Sequence, residues 1–211
     1  NGSGGYDNKR YNIALGYNAI AYDSGTALGY DARGYTSGAA VGNNSYGYNY
    51  GAALGSGSKG MRYGVAIGYQ AGKTQTTLFD LYNVLVGAYA GYQLTGNSGV
   101  GLGNIMVGYQ SGYDATYSPT TGSKNILIGF QAGAPSNTTS NFLNIGNAIF
   151  ATGINNSTFP AISEANVGIG ITTPNAPLHV TAAKTNNILA RFEDTSALST
   201  GELTGIRIQG K

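Results

Sequence analysis

From residue 11 the chain alternates small and large side chains with a period of two, and the alternation itself recurs every 13 residues. Segments 16–28, 29–41, 42–54 and 55–67 align without a gap. The fourth position is small (Ala19, Ala32, Ser45, Ser58), as is the sixth (Ala21, Gly34, Gly47, Gly60). The tenth is always glycine (Gly25, Gly38, Gly51, Gly64) and the twelfth always alanine (Ala27, Ala40, Ala53, Ala66). Self-similarity at a fixed period marks a solenoid, in which each unit buries its faces only by stacking on its neighbours. Period two predicts strands. Helix is excluded because each glycine costs about 1 kcal/mol relative to alanine in a helix, and every unit carries several. With turns at the glycine-rich positions, 13 residues hold two strands of about four residues each.

A coil this short is too narrow to enclose Leu or Tyr, so the Ala/Gly/Ser face is expected inside, where backbones approach closely. The thirteenth position then points outward. Its row of Leu15, Leu28, Val41, Leu54 and Ile67, stacked at about 4.8 Å per coil, forms an aliphatic stripe. Such a stripe argues for burial against another chain, so an obligate oligomer packed through these five residues is expected.

After Gly68 the frame persists with inserts. The aliphatic–glycine junctions fall at Gly68, Gly87, Gly108, Gly129 and Gly146, spaced 19, 21, 21 and 17 residues apart. The strand phrases Asn83-Val84-Leu85-Val86, Asn104-Ile105-Met106-Val107 and Asn125-Ile126-Leu127-Ile128 stand before three of them. Inserts begin after Gly72, Gly91, Gly112 and Gly133, which puts them all on one face of the solenoid. The expected layout is a lead-in (1–10), regular repeats (11–72), repeats with inserts (73–152), a polar connector (153–165) and a small C-terminal β module (166–211). Strands are expected in that module at Leu178-His179-Val180-Thr181, Ile188-Leu189-Ala190-Arg191-Phe192 and Gly205-Ile206-Arg207-Ile208.

Composition narrows the function. The 211 residues include 35 Gly, 17 Tyr, one His and no Cys, so disulfides, thiol catalysis and Cys-ligated zinc are excluded. A net charge of +2 is too weak for a nucleic-acid footprint. No apolar run reaches the roughly 18 residues of a membrane span. Neither a metal site nor a cofactor is expected. Gly99-Val100-Gly101-Leu102-Gly103-Asn104 imitates a phosphate loop but lacks its lysine–hydroxyl ending.

The phrase aliphatic-Gly-x-x-Ala/Ser-x-Ala/Gly, as in Leu15-Gly16-Tyr17-Asn18-Ala19-Ile20-Ala21, resembles the head repeats of trimeric autotransporter adhesins, which also occur in bacteriophage tail fibres. Asn166-Val167-Gly168-Ile169-Gly170-Ile171-Thr172-Thr173-Pro174, followed by Pro177-Leu178-His179-Val180, resembles the segment ahead of the endosialidase-type intramolecular chaperone in tail fibres and related bacterial surface proteins. The resemblance implies an all-β, left-handed parallel β-roll in a homotrimeric, extracellular fibre, on a virion or on a bacterial surface. It implies attachment to a cell surface through glycans or another receptor. A bacterial surface adhesin, a plain structural filament and a glycan-cleaving fibre enzyme are the alternatives.

Binding is expected in the inserts, because loops on a rigid scaffold carry function. Phe79, Asp80 and Tyr82 in the first insert, and Asp114 and Tyr117 in the third, supply aromatic and polar groups suited to a neutral sugar. Tyrosine also falls into columns: Tyr22, Tyr35 and Tyr48 in one, Tyr17, Tyr30, Tyr69, Tyr109 and Phe130 in another, the latter interrupted by Asn43 and Ser56. Stacked rings stabilise a sheet or an interface, and exposed ones offer a platform to sugars. No catalytic residue is expected. His179 lies in a strand phrase, and Asp7, Asp23, Asp31, Asp80 and Asp114 share no repeat column that would pair two carboxylates.

Overall fold

The computed structural model describes residues 11–75, 82–95, 102–113, 122–154 and 164–181. Among them there is no helix. The strands are β1 (Ile13–Leu15), β2 (Ile20–Ala21), β3 (Thr26–Leu28), β4 (Arg33–Tyr35), β5 (Ala39–Val41), β6 (Tyr46–Tyr48), β7 (Ala52–Leu54) and β8 (Lys59–Gly60). They continue with β9 (Val65–Ile67), β10 (Val84–Val86), β11 (Ile105–Val107), β12 (Ile126–Ile128), β13 (Phe142–Ile145), β14 (Ile149–Thr152), β15 (Asn166–Ile169) and β16 (Leu178–Val180). One sheet runs β1-β3-β5-β7-β9-β10-β11-β12-β13-β14-β15-β16, and a second runs β2-β4-β6-β8. Up to β13 every pairing is parallel and in the register of the repeat, for example Leu15↔Leu28 and Val41↔Leu54. The chain is a β-solenoid, as the repeat predicts.

The strands are shorter than the sequence suggests, mostly three residues, because the corners take up more of each rung. Two corners carry residues in the left-handed region: Asn18, Asp31, Asn44 and Gln70 at one, Ser24, Ser37, Tyr50 and Tyr63 at the other. That conformation costs a non-glycine residue about 1–2 kcal/mol. Rung-to-rung hydrogen bonds offset it, since Asp31 N donates to Tyr17 O (2.9 Å) and Asn44 N to Tyr30 O (2.8 Å). The ladder of backbone bonds therefore turns the corners without a break.

Inside the regular rungs, Ala27, Ala40, Ala53 and Ala66 are buried from the long sheet, and glycines face them from the short one. A Cβ at Gly47 would lie 2.5 Å from the Ala39 carbonyl carbon and 2.7 Å from its nitrogen. The two sheets thus meet backbone to backbone, with room for one methyl layer only.

The interior widens beyond Ile67. Leu85, Met106 and Leu127 continue the inward column beyond Ala66, and all three are buried. Exclusion of large side chains therefore holds for the 13-residue rungs and not for the longer ones. The cause is local. Gly72, Gly91 and Gly112, in the column of Lys59 and one, two and three rungs further on, adopt φ of +62°, +57° and +65° where Lys59 is extended in β8. The chain curls away there, the short sheet ends at β8, and the inserts start from stacked positions: Gly72 N donates to Ala90 O and Gly91 N to Ser111 O, both 2.9 Å.

Across from this curl, the invariant tenth-position glycine gives way to Asn83, Asn104 and Asn125, all buried. Their amides form a ladder. Asn83 Oδ1 accepts from Asn104 N (2.8 Å), Asn104 Oδ1 from Asn125 N (3.0 Å) and Asn125 Oδ1 from Phe142 N (3.1 Å). Asn104 Nδ2 donates to Gly122 O (3.0 Å) and Asn125 Nδ2 to Thr139 O (2.7 Å), tying the ends of the inserts to the coil.

At Gly146 the chain reverses. β14 pairs antiparallel with β13, β15 antiparallel with β14, and β16 parallel with β15. Phe142 and Phe150, with ring centroids 6.1 Å apart, close the hydrophobic interior at this end. The segment 166–181 thus extends the same sheet through β14. The strands expected at 188–192 and 205–208 lie outside the described residues.

Candidate functional site

The outer face of the long sheet carries two apolar columns, because period-two alternation places both neighbours of each inward residue outside. One is the expected row: Leu15, Leu54 and Ile67 are exposed at 71%, 49% and 39%, while Leu28 and Val41 are half-buried by their neighbours. It continues through Val86, Val107, Ile128 and Ile145. The second column, two positions earlier, runs Ile13, Thr26, Ala39, Ala52, Val65, Val84, Ile105 and Ile126, so large aliphatic side chains stand in it at Ile13 and from Val65 onward. Its members Ile13, Val84 and Ile105 are exposed.

Tyrosine ladders border this face. On one side Tyr17 stacks on Tyr30 (5.4 Å) and Tyr109 on Phe130 (5.4 Å). Tyr89 meets Tyr69 edge-on at 5.3 Å and also touches Tyr92, Tyr109 and Tyr113, so the aromatic column thickens into a cluster where the inserts begin. Loss of hydration, with Tyr69 adding to it, pushes the Tyr89 hydroxyl above its ordinary value.

On the other side stand Tyr50, Tyr63 and Tyr82, the only candidate ligand-binding residue that the described segments include. Tyr82 stacks on Tyr63 at 5.5 Å and 9°, and Tyr63 on Tyr50 at 5.3 Å and 1°. All three are about half exposed, and the Arg62 guanidinium sits 5.9 Å from the Tyr63 ring. The sequence reading placed Tyr82 in an insert and missed its partners. Counting forward from Gly68 loses the frame, whereas counting back from the strand phrase at Asn83 puts Tyr82 in the ninth position with Tyr63 and Tyr50. Phe79, Asp80, Asp114 and Tyr117 lie outside the described residues.

The outer face of the short sheet differs in character. Arg33 and Lys59 each approach the Tyr46 ring to 5.5 Å, a cation–π arrangement along one column. Next to it Tyr22 stacks on Tyr35 at 5.3 Å. Near the reversal, a hollow of about 400 Å³ is lined by Gln131, Phe142, Asn144, Asn147 and Phe150. Its amides satisfy one another: Asn144 Nδ2 donates to Asn147 Oδ1 (2.8 Å) and to Gly133 O (2.8 Å). That bonding marks it as part of the cap. Asp23 and Asp31 occupy different corners, and His179 in β16 accepts at Nδ1 from Asn175 N (3.4 Å).

Comparison of the chain with protein-family models, curated proteins and solved structures returns no match.

Proposed function

We propose that this chain is a segment of a homotrimeric extracellular fibre, of the tail-fibre or surface-adhesin kind, that attaches to a cell surface by holding glycans without cleaving them. The observation that carries the reading is the pair of exposed aliphatic columns bordered by stacked, exposed tyrosines. Fully burying a Leu or Ile side chain is worth about 1.5–3 kcal/mol. A face that repeats Leu, Val and Ile on successive rungs therefore gains many times that amount when three copies meet around an axis. The stacked rings suit neutral sugars, whose C–H faces pack on aromatic surfaces at little entropy cost to tyrosine.

The mass in solution tests the assembly. Light scattering at two concentrations should give three times the 21.6 kDa of one chain, and a folded monomer at micromolar concentration would refute the trimer. Leu54→Asp should leave single chains or aggregate, because assembly would bury an unpaired carboxylate. Normal trimer yield from that variant would mean that another face is used. Tyr63→Ala should weaken a neutral glycan identified on an array by about tenfold, the equivalent of one lost stacking contact. Since the ring is half exposed, the melting temperature should barely move, and unchanged glycan affinity would exclude this ladder as the platform.

A further inference from the structure

Beside the short sheet, a groove of about 290 Å³ opens between the Tyr46 and Lys59 side chains and the corner at Ser56 and Gly57. Its other walls are Asn44, Tyr69, Gln70 and Lys73. The groove opens where the corner column shrinks: between Tyr30 and Tyr69 it carries Asn43 and then Ser56, the smaller of the two, and Ser56 lines the groove. The next column reads Asn18, Asp31 and Asn44 before reaching Gly57. The interruption of the tyrosine ladder is thus an opening in the surface, near the lower end of the roughly 300–1,000 Å³ of small-ligand pockets.

Lys59 and Lys73 both line this groove, and among the described residues no counter-charge stands with them. Lys59 is partly buried and Lys73 opens the first insert; no acidic residue lines the groove, and among the described residues neither lysine forms an ion pair. Lys59 donates to the Gln75 carbonyl at 3.3 Å and lies against the Tyr46 ring. Burial first, and then the neighbouring Lys73, hold its ammonium below the ordinary lysine value. An anion between the two lysines would relieve that repulsion. The remaining walls suit a polyol: the Asn44 and Gln70 amides, the Ser56 hydroxyl, and the Tyr69 hydroxyl that already accepts from Gln70 Nε2 at 3.0 Å.

We infer that this groove binds an acidic sugar unit, with the sugar's carboxylate between Lys59 and Lys73 and its hydroxyls toward the Asn44, Ser56 and Gln70 side chains. The inference rests on the glycan-attachment reading and gives it a second, charge-selective subsite distinct from the neutral tyrosine platform.

The test is calorimetric titration of the assembled protein with a glucuronate-containing disaccharide, its methyl ester and sodium acetate. The disaccharide should bind with an affinity that falls as salt rises. The ester should bind at least about tenfold more weakly, since hydrogen bonds to a charged group are the stronger ones. Acetate should not bind measurably. Lys73→Gln should lower the disaccharide affinity by a similar factor. Ser56→Tyr restores the ladder residue found on other rungs, so it should fold normally and abolish binding by filling the groove. Equal affinity for acid and ester, acetate binding as well as the disaccharide, or undiminished binding by Ser56→Tyr would each overturn the inference. So would indifference to the disaccharide in a protein that still binds a neutral glycan through Tyr63, an outcome that leaves the attachment reading standing.

Discussion

Gly47→Ala should destabilise the regular rungs by about 3 kcal/mol or more, lowering the first transition in a urea or thermal unfolding curve. A single methyl rarely costs so much. Here it points across a gap that admits only hydrogen, toward backbone atoms of Ala39 at 2.5 and 2.7 Å. A side-chain neighbour could rotate aside. Ala39 cannot, because its strand is bonded in register to the rungs on both sides. The short sheet would have to lift away, carrying β4 and β8 with it. In a solenoid such a defect lowers the stability of adjoining rungs as well as its own. A change of less than a degree in melting temperature would mean that the two sheets lie further apart than described.

Asn104→Ala should cost about 2–5 kcal/mol. It strands two buried groups at once, the Asn125 N–H that bonds to Asn104 Oδ1 and the Gly122 carbonyl that accepts from Asn104 Nδ2. Each buried orphan costs about 1–3 kcal/mol. Amide hydrogen exchange locates the damage: the Asn125 N–H should lose its protection, while the Thr26 and Ala39 amides in the regular rungs keep theirs. Unchanged exchange at Asn125 would show that water or another acceptor replaces the side chain. The two substitutions probe opposite solutions to one problem. Short rungs close the coil by removing side chains, and long rungs close it by tying a polar side chain across the gap.

The first half of the molecule was legible because its repeat is strict. Columns of Ala27, Ala40 and Ala53 name the inside, and the aliphatic column beside them names the outside. The second half kept enough of the phrase to fix the strands β10 to β12 but hid how the interior changes. The repeated asparagine before each strand was visible. Its meaning was not, since only the register shows that each amide spans to the next rung. The reversal at Gly146 escaped for a different reason. Ile149-Phe150-Ala151-Thr152 has the same alternation as a parallel rung, and strand direction leaves no trace in periodicity. In the sequence the groove at Ser56 shows only as a gap in a tyrosine column. A missing side chain becomes a site when Lys59 and Lys73, three and seventeen positions further along the sequence, are brought beside it.

The corner-to-corner hydrogen bonding also sets how such a rod responds to tension. The backbone bonds run from rung to rung, along the axis of the solenoid, so a pull on its ends loads successive rungs in series. A rung that opens releases its whole contour: 13 residues for a regular rung and 21 for one of the longer ones, or roughly 40 and 65 Å beyond the rung spacing at about 3.4 Å per residue. The regular rungs are joined by backbone bonds and by stacked rings on their surface, and the asparagine-laced rungs add buried side-chain hydrogen bonds from one rung to the next. Stretching therefore divides the solenoid into a more compliant section and a reinforced one, with the reinforced section next to the cap.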